Sequence, residues 1–267
     1  MNQISGSSNT GKKHAIFSDY GQYYDLLYGD KNYVEEVSYI TNLLHRIGVR
    51  SGKILEFGSG TGRHGRLLGE QGFSVVGIER SPVMASRAVL TESFKCLVGD
   101  ACTTKVNDKF DAVLALFHVV SYQISNESLL QLFENASAHL SPNGFFIFDV
   151  WYSPAVGKNI PEARIKKAFN ENLKVTRFAQ PRLKADSNQV DVEYEIIVQD
   201  RLTGKVETTE ETHSMRHFST PEIDLIGKLT DFKIVCAEEF MTGNLPGFDT
   251  WGVCYVLKKI QHTPLNT

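Results

Sequence analysis

Between Lys53 and Trp151 short apolar runs alternate with amphipathic stretches, and the alternation repeats five times in about 100 residues. The runs are "KILEF" (53–57), "FSVVGIE" (73–79), "FKCLVGD" (94–100), "FDAVLALF" (110–117) and "FFIFDVW" (145–151). The first is followed by the helical "GRHGRLLGEQG", closed by Gly72. The second is followed by "SPVMASRAVL", with Ser81 as N-cap and Pro82 in the first turn. "NESLLQLFENASAHLSPNG" is a further helix, closed by its Pro142–Asn143–Gly144 turn. Another helix, with apolar residues from Val34 to Ile47, precedes the first strand. Alternation of this kind predicts a parallel sheet with helices on both faces. Right-handed crossovers then give a doubly wound α/β layout, with a ligand site at the carboxyl ends of the strands.

Past Trp151 the rhythm changes. Residues 151–170 read as irregular. Strand-like segments follow at Leu173–Pro181, Gln189–Gln199 and Lys205–Phe218, the last two with period-2 alternation and joined by the turn "DRLTGK". They predict an antiparallel β insertion. A helix at Pro221–Leu229 and the strands "FKIVCAEEF" and "TWGVCYVLKK" complete the chain. The last two are expected as a hairpin on the edge of the main sheet, which makes seven strands. The expected organisation is a disordered leader (1–15), a cofactor-binding core (16–150), the insertion as acceptor side or lid (151–218), a return to the core sheet (219–260) and a tail (261–267).

The chain has 267 residues and a formal net charge of −3, so no global basic field recruits nucleic acid or an anionic membrane. Its apolar runs are far shorter than the ~20 residues of a membrane span, and no metal site is expected. Cys96, Cys102, Cys236 and Cys254 form no CxxC pair, which favours reduced thiols and a cytoplasmic location.

Four glycines, Gly58, Gly60, Gly62 and Gly65, follow the first strand in "EFGSGTGRHG". A phosphate-cradling GxxxxGK[ST] loop is absent. The dinucleotide fingerprint GxGxxG fails because Arg63 stands where a third small residue must pack. "EFGSGTG" (56–62) instead fits the E/DxGxGxG loop that binds S-adenosylmethionine (AdoMet). Bare backbone there lets methionine and ribose lie flat, and Glu56 holds the loop or the ligand's ammonium. Glu79, at the end of the second strand and beside Arg80, can accept both ribose hydroxyls. Asp100 ends the third strand in "VGDA", where it can accept from an adenine amino group while Ala101 N–H donates to the ring. Leu116 and Phe117, at the end of the fourth strand, can line the adenosine cleft.

Together "ILEFGSGTG", "VVGIE", "VGDA" and "FDAVLALF" resemble the class I AdoMet-dependent methyltransferases over about residues 34–150. The resemblance implies a Rossmann-like fold, AdoMet as cofactor and S-adenosylhomocysteine as product. A narrower resemblance is carried by "DYGQYYDLLYGDKNYVEE" (19–36), "FDVWYSP" and the E-x-H strand "EETHSMRHF". It is to the sugar-nucleotide N,N-dimethyltransferases of dimethylamino deoxysugar synthesis, such as those of desosamine and mycaminose. By that resemblance Tyr24 and Tyr33 close over AdoMet, and Asp149 and Trp151 face the sugar nucleotide. Some members carry a histidine in the loop after strand four. Tyr122 stands at that position here, and His118 directly follows Phe117.

Methyl transfer from a sulfonium is mainly a positioning problem, worth ~7–11 kcal/mol, with a general base adding ~10²–10⁴-fold. His118 is the first candidate base and Tyr122 a hydrogen-bonding positioner. Tyr20 is a further candidate for the cleft, and Arg177 and Arg216 for a nucleotide diphosphate. The expected acceptor is an amino sugar on a nucleotide, with dTDP as carrier, and a homodimer is allowed. O-methylation of a sugar or other small metabolite, and a nonenzymatic AdoMet-binding scaffold, are the alternatives.

Overall fold

A computed structural model describes residues 20–260 of the chain, without the side chains of Tyr20 and Gln22. The expected leader (1–15) and tail (261–267) therefore lie outside the described residues. A short helix α1 (Tyr24–Leu27) precedes α2 (Tyr33–Arg46), whose Asn32 cap accepts from Glu35 N–H. The core then runs β1 (Gly52–Phe57), α3 (Arg63–Glu70), β2 (Phe73–Glu79), α4 (Pro82–Ala85), β3 (Phe94–Val98) and β4 (Phe110–Ala115). It continues with α5 (Asn126–His139), β5 (Leu140–Trp151) and α6 (Ser153–Lys158). The strands β6 (Arg164–Phe169), β7 (Leu173–Lys184), β8 (Gln189–Asp200) and β9 (Val206–Arg216) follow. The chain closes with α7 (Thr220–Leu229), β10 (Phe232–Glu239) and β11 (Gly252–Lys259).

Seven strands form one sheet in the order β10-β11-β5-β4-β1-β2-β3. Strands β1 to β5 pair in parallel, and β11 inserts antiparallel between β5 and β10. Adjacent residues along each central strand serve opposite faces. Leu55, Val113 and Phe146 pack with Leu132 and Phe133 of α5 and Ile223 of α7. Ile54, Ala112, Leu114 and Ile147 pack with Val37, Ile40 and Leu44 of α2 and Leu68 of α3. This is the two-sided α/β architecture expected from the alternation.

The other four strands form an antiparallel sheet, β6-β7-β8-β9. Three of them match the strand-like segments, two of which alternate with period 2, and β6 corrects the irregular reading of residues 151–170. It was illegible because it is an edge strand paired only with β7 and carrying Lys166 and Lys167, so no buried face shows in its pattern. The helix expected over 81–90 is also shorter than its apolar residues suggested. It ends at Ala85, and Val89 and Leu90 lie exposed with no partner surface. No helix among the described residues is long and apolar enough to cross a membrane.

Candidate active site

The cleft opens at the carboxyl ends of β1, β2, β3 and β4 and has a volume of 380 Å³, within the range of small-ligand sites. Its floor is the glycine loop between β1 and α3. Gly58 N–H and Ser59 N–H both donate to Ile78 O, so the loop crosses directly over the end of β2. Gly58 has φ +65°, and a Cβ there would come within 2.5 Å of Val119 Cγ2. Gly62 has φ +77°, caps α3, and its Cβ would meet the Phe94 ring at 2.4 Å. Only glycine satisfies both demands at these two positions.

Glu79 is buried at the tip of β2. Its two oxygens accept from Gly60 N–H at 2.8 Å and Ser81 N–H at 2.7 Å. Burial pushes its carboxyl above the usual range, against the opposing pull of those N–H groups. Each oxygen keeps a second lone pair, which is what a ribose diol requires. At the next strand tip Asp100 accepts from Cys102 N–H at 2.8 Å, and Arg80 Nε stands 3.8 Å from its other oxygen. Glu56 lies behind the loop rather than on the cleft wall. Burial, and then the Glu79 carboxylate, push it up to about 8. His64, bonded to Glu36 at 2.7 Å, approaches Glu56 to 3.8 Å.

The N-terminal segment roofs this half. Tyr24, Tyr28 and Tyr33 line the cleft. Asp25 clasps the roof to the floor: its carboxylate takes Thr61 Oγ1 at 2.9 Å, Arg63 Nε at 3.3 Å and Arg87 Nη2 at 3.2 Å. Lys31 pairs with Glu36 at 2.8 Å and lies 3.7 Å above the Phe117 ring. The donor set fits AdoMet: a backbone cradle that a Cβ would fill, acceptors at two strand tips, and apolar walls from Leu116, Phe117 and Met84.

The far half is built differently. Phe117 (φ +63°) and His118 (φ +65°) are consecutive left-handed residues without glycine, a strained turn of the kind that collects at functional sites. Asp149, fully buried on β5, holds it by accepting from Phe117 N–H at 2.6 Å and His118 N–H at 3.2 Å. His118 Nδ1 lies 2.7 Å from Asp149 Oδ2, a close contact off the N–H axis. Burial works against ionisation of Asp149, but His118 and the loop amide outweigh it and hold the carboxyl below its ordinary value. Tyr122, in the 3₁₀ turn 119–122, meets His213 Nδ1 of β9 at 2.9 Å, and His213 Nε2 meets Glu211 at 3.2 Å. Burial pushes the Tyr122 phenol well above its ordinary value, so it is a neutral hydroxyl at working pH. Trp151 and Tyr194 complete the wall.

Of the residues singled out from sequence, Tyr24, Tyr33, Gly58, Gly60, Glu79, Arg80, Asp100, Ala101, Leu116, Phe117, His118, Tyr122 and Trp151 converge on the cleft. Five do not. Glu56 and Gly62 stand behind its floor. Asp149 faces the loop it braces rather than an acceptor amine. Arg216 bonds Asn126 at 2.8 Å and Glu222 at 3.3 Å, tying β9 to the starts of α5 and α7. Arg177 donates to Tyr28 Oη at 2.9 Å and stacks over Tyr194, tying β7 to the roof. Both arginines are engaged with protein groups, so neither faces a diphosphate in the cleft. The Tyr20 side chain lies outside the described residues.

Sequence reasoning missed Asp25, Lys31, Tyr194, Glu211 and His213 as parts of the site. Only the β9 residues left a signal: Glu211, His213 and Met215 fall on one inward face at period 2, and two titratable residues on a buried face are unusual for core.

Residues 54–144 match the methyltransferase domain family. A dTDP-3-amino-3,6-dideoxy-α-D-glucopyranose N,N-dimethyltransferase of Streptomyces fradiae is 24% identical over 247 residues, covering 90% of this chain and 93% of that protein. The sugar N-methyltransferase KedS8 of a Streptoalloteichus species superposes with a TM-score of 0.79 at 17% identity, over 97% of this chain and 100% of that one. The SAM-bound amino pentose methyltransferase CalS10 of Micromonospora echinaspora superposes with a TM-score of 0.70 at 18% identity, over 93% and 100% of the two chains. The matched domain at residues 54–144 holds the glycine floor and the acid-tipped strands of the cleft, and with these relatives it makes the chain an AdoMet-dependent methyltransferase.

Proposed function

We propose that the enzyme methylates the amino group of a nucleotide-linked amino sugar. The observation that carries this reading is the make-up of the far half of the cleft. It is aromatic and lined by hydrogen-bonding groups from Trp151, Tyr122 and His118, and it continues directly from the cofactor cradle. The relatives that share this fold and name an amino-sugar substrate support it. In this reading residues 16–150 hold the cofactor, 151–218 supply the acceptor wall, and 219–260 close the main sheet.

AdoMet supplies a methyl group on a sulfonium whose departure leaves a neutral thioether. The chain's task is to aim a nucleophile at it. Gly58, Gly60, Glu79, Asp100 and Ala101 fix the cofactor, and Tyr24 and Tyr33 cover it. Trp151 offers a flat face for the sugar. His118, oriented by Asp149, takes up a proton at its free ring nitrogen, and Tyr122 positions the nucleophile. Incubation with AdoMet and dTDP-3-amino-3,6-dideoxyglucose tests the proposal. A mass gain of one or two methyl increments (about 14 or 28 units) is expected, and no gain across dTDP-amino sugars would overturn it. The His118–Asp149 contact favours a second reading, O-methylation, because a hydroxyl needs a stronger base than an amine. Methylation of the matching hydroxy sugar, and not of the amino sugar, would select it.

A further inference from the structure

We infer that Glu56 distinguishes the charged cofactor from the spent one: it is a neutral acid while the cleft is empty, becomes a carboxylate when AdoMet lies on the other side of the glycine loop, and is neutral again beneath S-adenosylhomocysteine. The inference rests on the cofactor and is independent of which acceptor is methylated.

Placement comes first. Glu56 is the second-last residue of β1, and its side chain, 2% exposed, lies behind the loop that floors the cleft. It packs on Gly65 of α3, where a Cβ would come within 2.8 Å of Glu56 Oε2. Oε2 has no hydrogen-bond partner among the described residues. Glu79, the buried acid at the tip of β2, adds a like charge. A carboxylate without water, with an orphaned oxygen and a second acid nearby, is most cheaply stabilised by a proton. Burial first and Glu79 second push Glu56 up to about 8, against weaker opposing pulls from Gly65 N–H and Lys31.

The other ionisable groups around it leave that proton in place. His64 of α3 brings Nδ1 to 3.8 Å from Glu56 Oε1, while its Nε2 meets Glu36 of α2 at 2.7 Å. His64 and Lys31 hold Glu36 ionised against burial, so its carboxylate accepts and keeps the His64 proton on Nε2. Burial keeps that imidazole neutral. Lys31 pairs with Glu36 at 2.8 Å, and Cys96 of β3, pushed up by burial, adds no cation. AdoMet carries a sulfonium charge that S-adenosylhomocysteine lacks, and the two share their other charged groups. One positive charge across the loop, in a site shielded from water, favours a carboxylate on Glu56. The Glu56 O–H bond breaks, its electron pair stays on oxygen, and the proton passes to bulk water as the cofactor enters. Once the sulfur is neutral, Glu56 takes a proton back from water. Binding that releases a proton strengthens as pH rises, so preference for AdoMet over the spent cofactor grows up to about pH 8 and then levels. Glu56 touches neither ligand in this scheme and is a positioning residue that acts through its charge.

The test titrates the full chain calorimetrically with AdoMet, and separately with S-adenosylhomocysteine, in two buffers of different ionisation enthalpy, which counts the protons exchanged. At about pH 7.5 the wild type should release roughly half a proton more per AdoMet than Glu56→Gln does. With S-adenosylhomocysteine the two chains should give the same count. Protons from the ligand's own ammonium group cancel in each difference. Between about pH 6 and 8.5 the wild type's preference for AdoMet over S-adenosylhomocysteine should rise roughly fivefold, and that of Glu56→Gln should change less than about twofold. Equal counts for the two chains with AdoMet, or the same difference with both ligands, would overturn the inference. Infrared difference spectra of the wild type give a reading that needs no variant. AdoMet should remove a protonated-carboxyl stretch that S-adenosylhomocysteine leaves in place, and a stretch unmoved by AdoMet would overturn the inference as well.

Discussion

The two halves of the cleft solve the same problem, holding a small molecule still, with different materials. The cofactor half is backbone: a glycine floor over β2 and N–H groups locked to Glu79. The acceptor half is side chain: Tyr122 held by His213, 91 residues away, and a strained loop held by Asp149 from the next strand. Their buried acids are also shifted in opposite directions. Glu56 and Glu79 are pushed up by burial, while His118 and the loop N–H hold Asp149 down against burial. In the cradle burial outweighs the N–H groups and Arg80 that face Glu79, while in the loop His118 and its N–H outweigh burial on Asp149.

The contrast can be broken by experiment. Asp149→Ala should have the largest effect, about 3–5 kcal/mol of stability, because two loop N–H groups and His118 lose their only carboxylate. AdoMet affinity of the folded fraction should stay within about threefold, and a collapse of that affinity would show that the halves are not separable. Next comes Glu56→Gln. The folded chain keeps a Glu56 proton that the unfolded chain releases near pH 4.5, so this residue withdraws stability as pH rises from there to about 8. The substitution should flatten that slope and add roughly 3 kcal/mol at pH 8, read from urea midpoints at pH 5 and pH 8. An unchanged slope would place the proton elsewhere. Asp149 has the opposite sign: its contribution is present above pH ~4 and fades as pH falls through its lower folded value.

Glu79→Gln keeps one acceptor and loses the charge, and should weaken AdoMet binding by roughly 30-fold in calorimetry, about 2 kcal/mol. Retained affinity would remove Glu79 from the cofactor set. The smallest effect belongs to Arg177→Leu, which cuts one bond between insertion and roof. A two- to threefold rise in the KM for AdoMet, about 0.5 kcal/mol, is expected, with kcat unchanged.

The same contrast explains what could be read from the chain. A parallel α/β sheet announces itself because each strand is buried on both faces and each helix carries its own period. The cofactor half was legible for a related reason: its glycines and acids fall at the ends of consecutive strands, so order along the chain equals order in space. Across the acceptor half that equality fails. Nothing near Tyr122 indicates that His213 will meet it. Asp149 looked like an acceptor ligand because its own neighbours say nothing of the Phe117–His118 loop. Arg177 and Arg216 were chosen for charge, and their partners Tyr28, Asn126 and Glu222 are visible only once the sheets are assembled. Edge strand β6 was missed because an edge needs no apolar face.

The clasp made by Asp25 bears on how the cleft would fill and empty. Its carboxylate joins the roof to Thr61, Arg63 and Arg87 at once, so a door opening on this side of the cleft would have to break three contacts together. Two methyl groups on one nitrogen would need that door to open between them. In the amino-sugar reading, turnover would then be paced by exchange rather than by bond making, and a singly methylated species would build up whenever fresh cofactor is scarce.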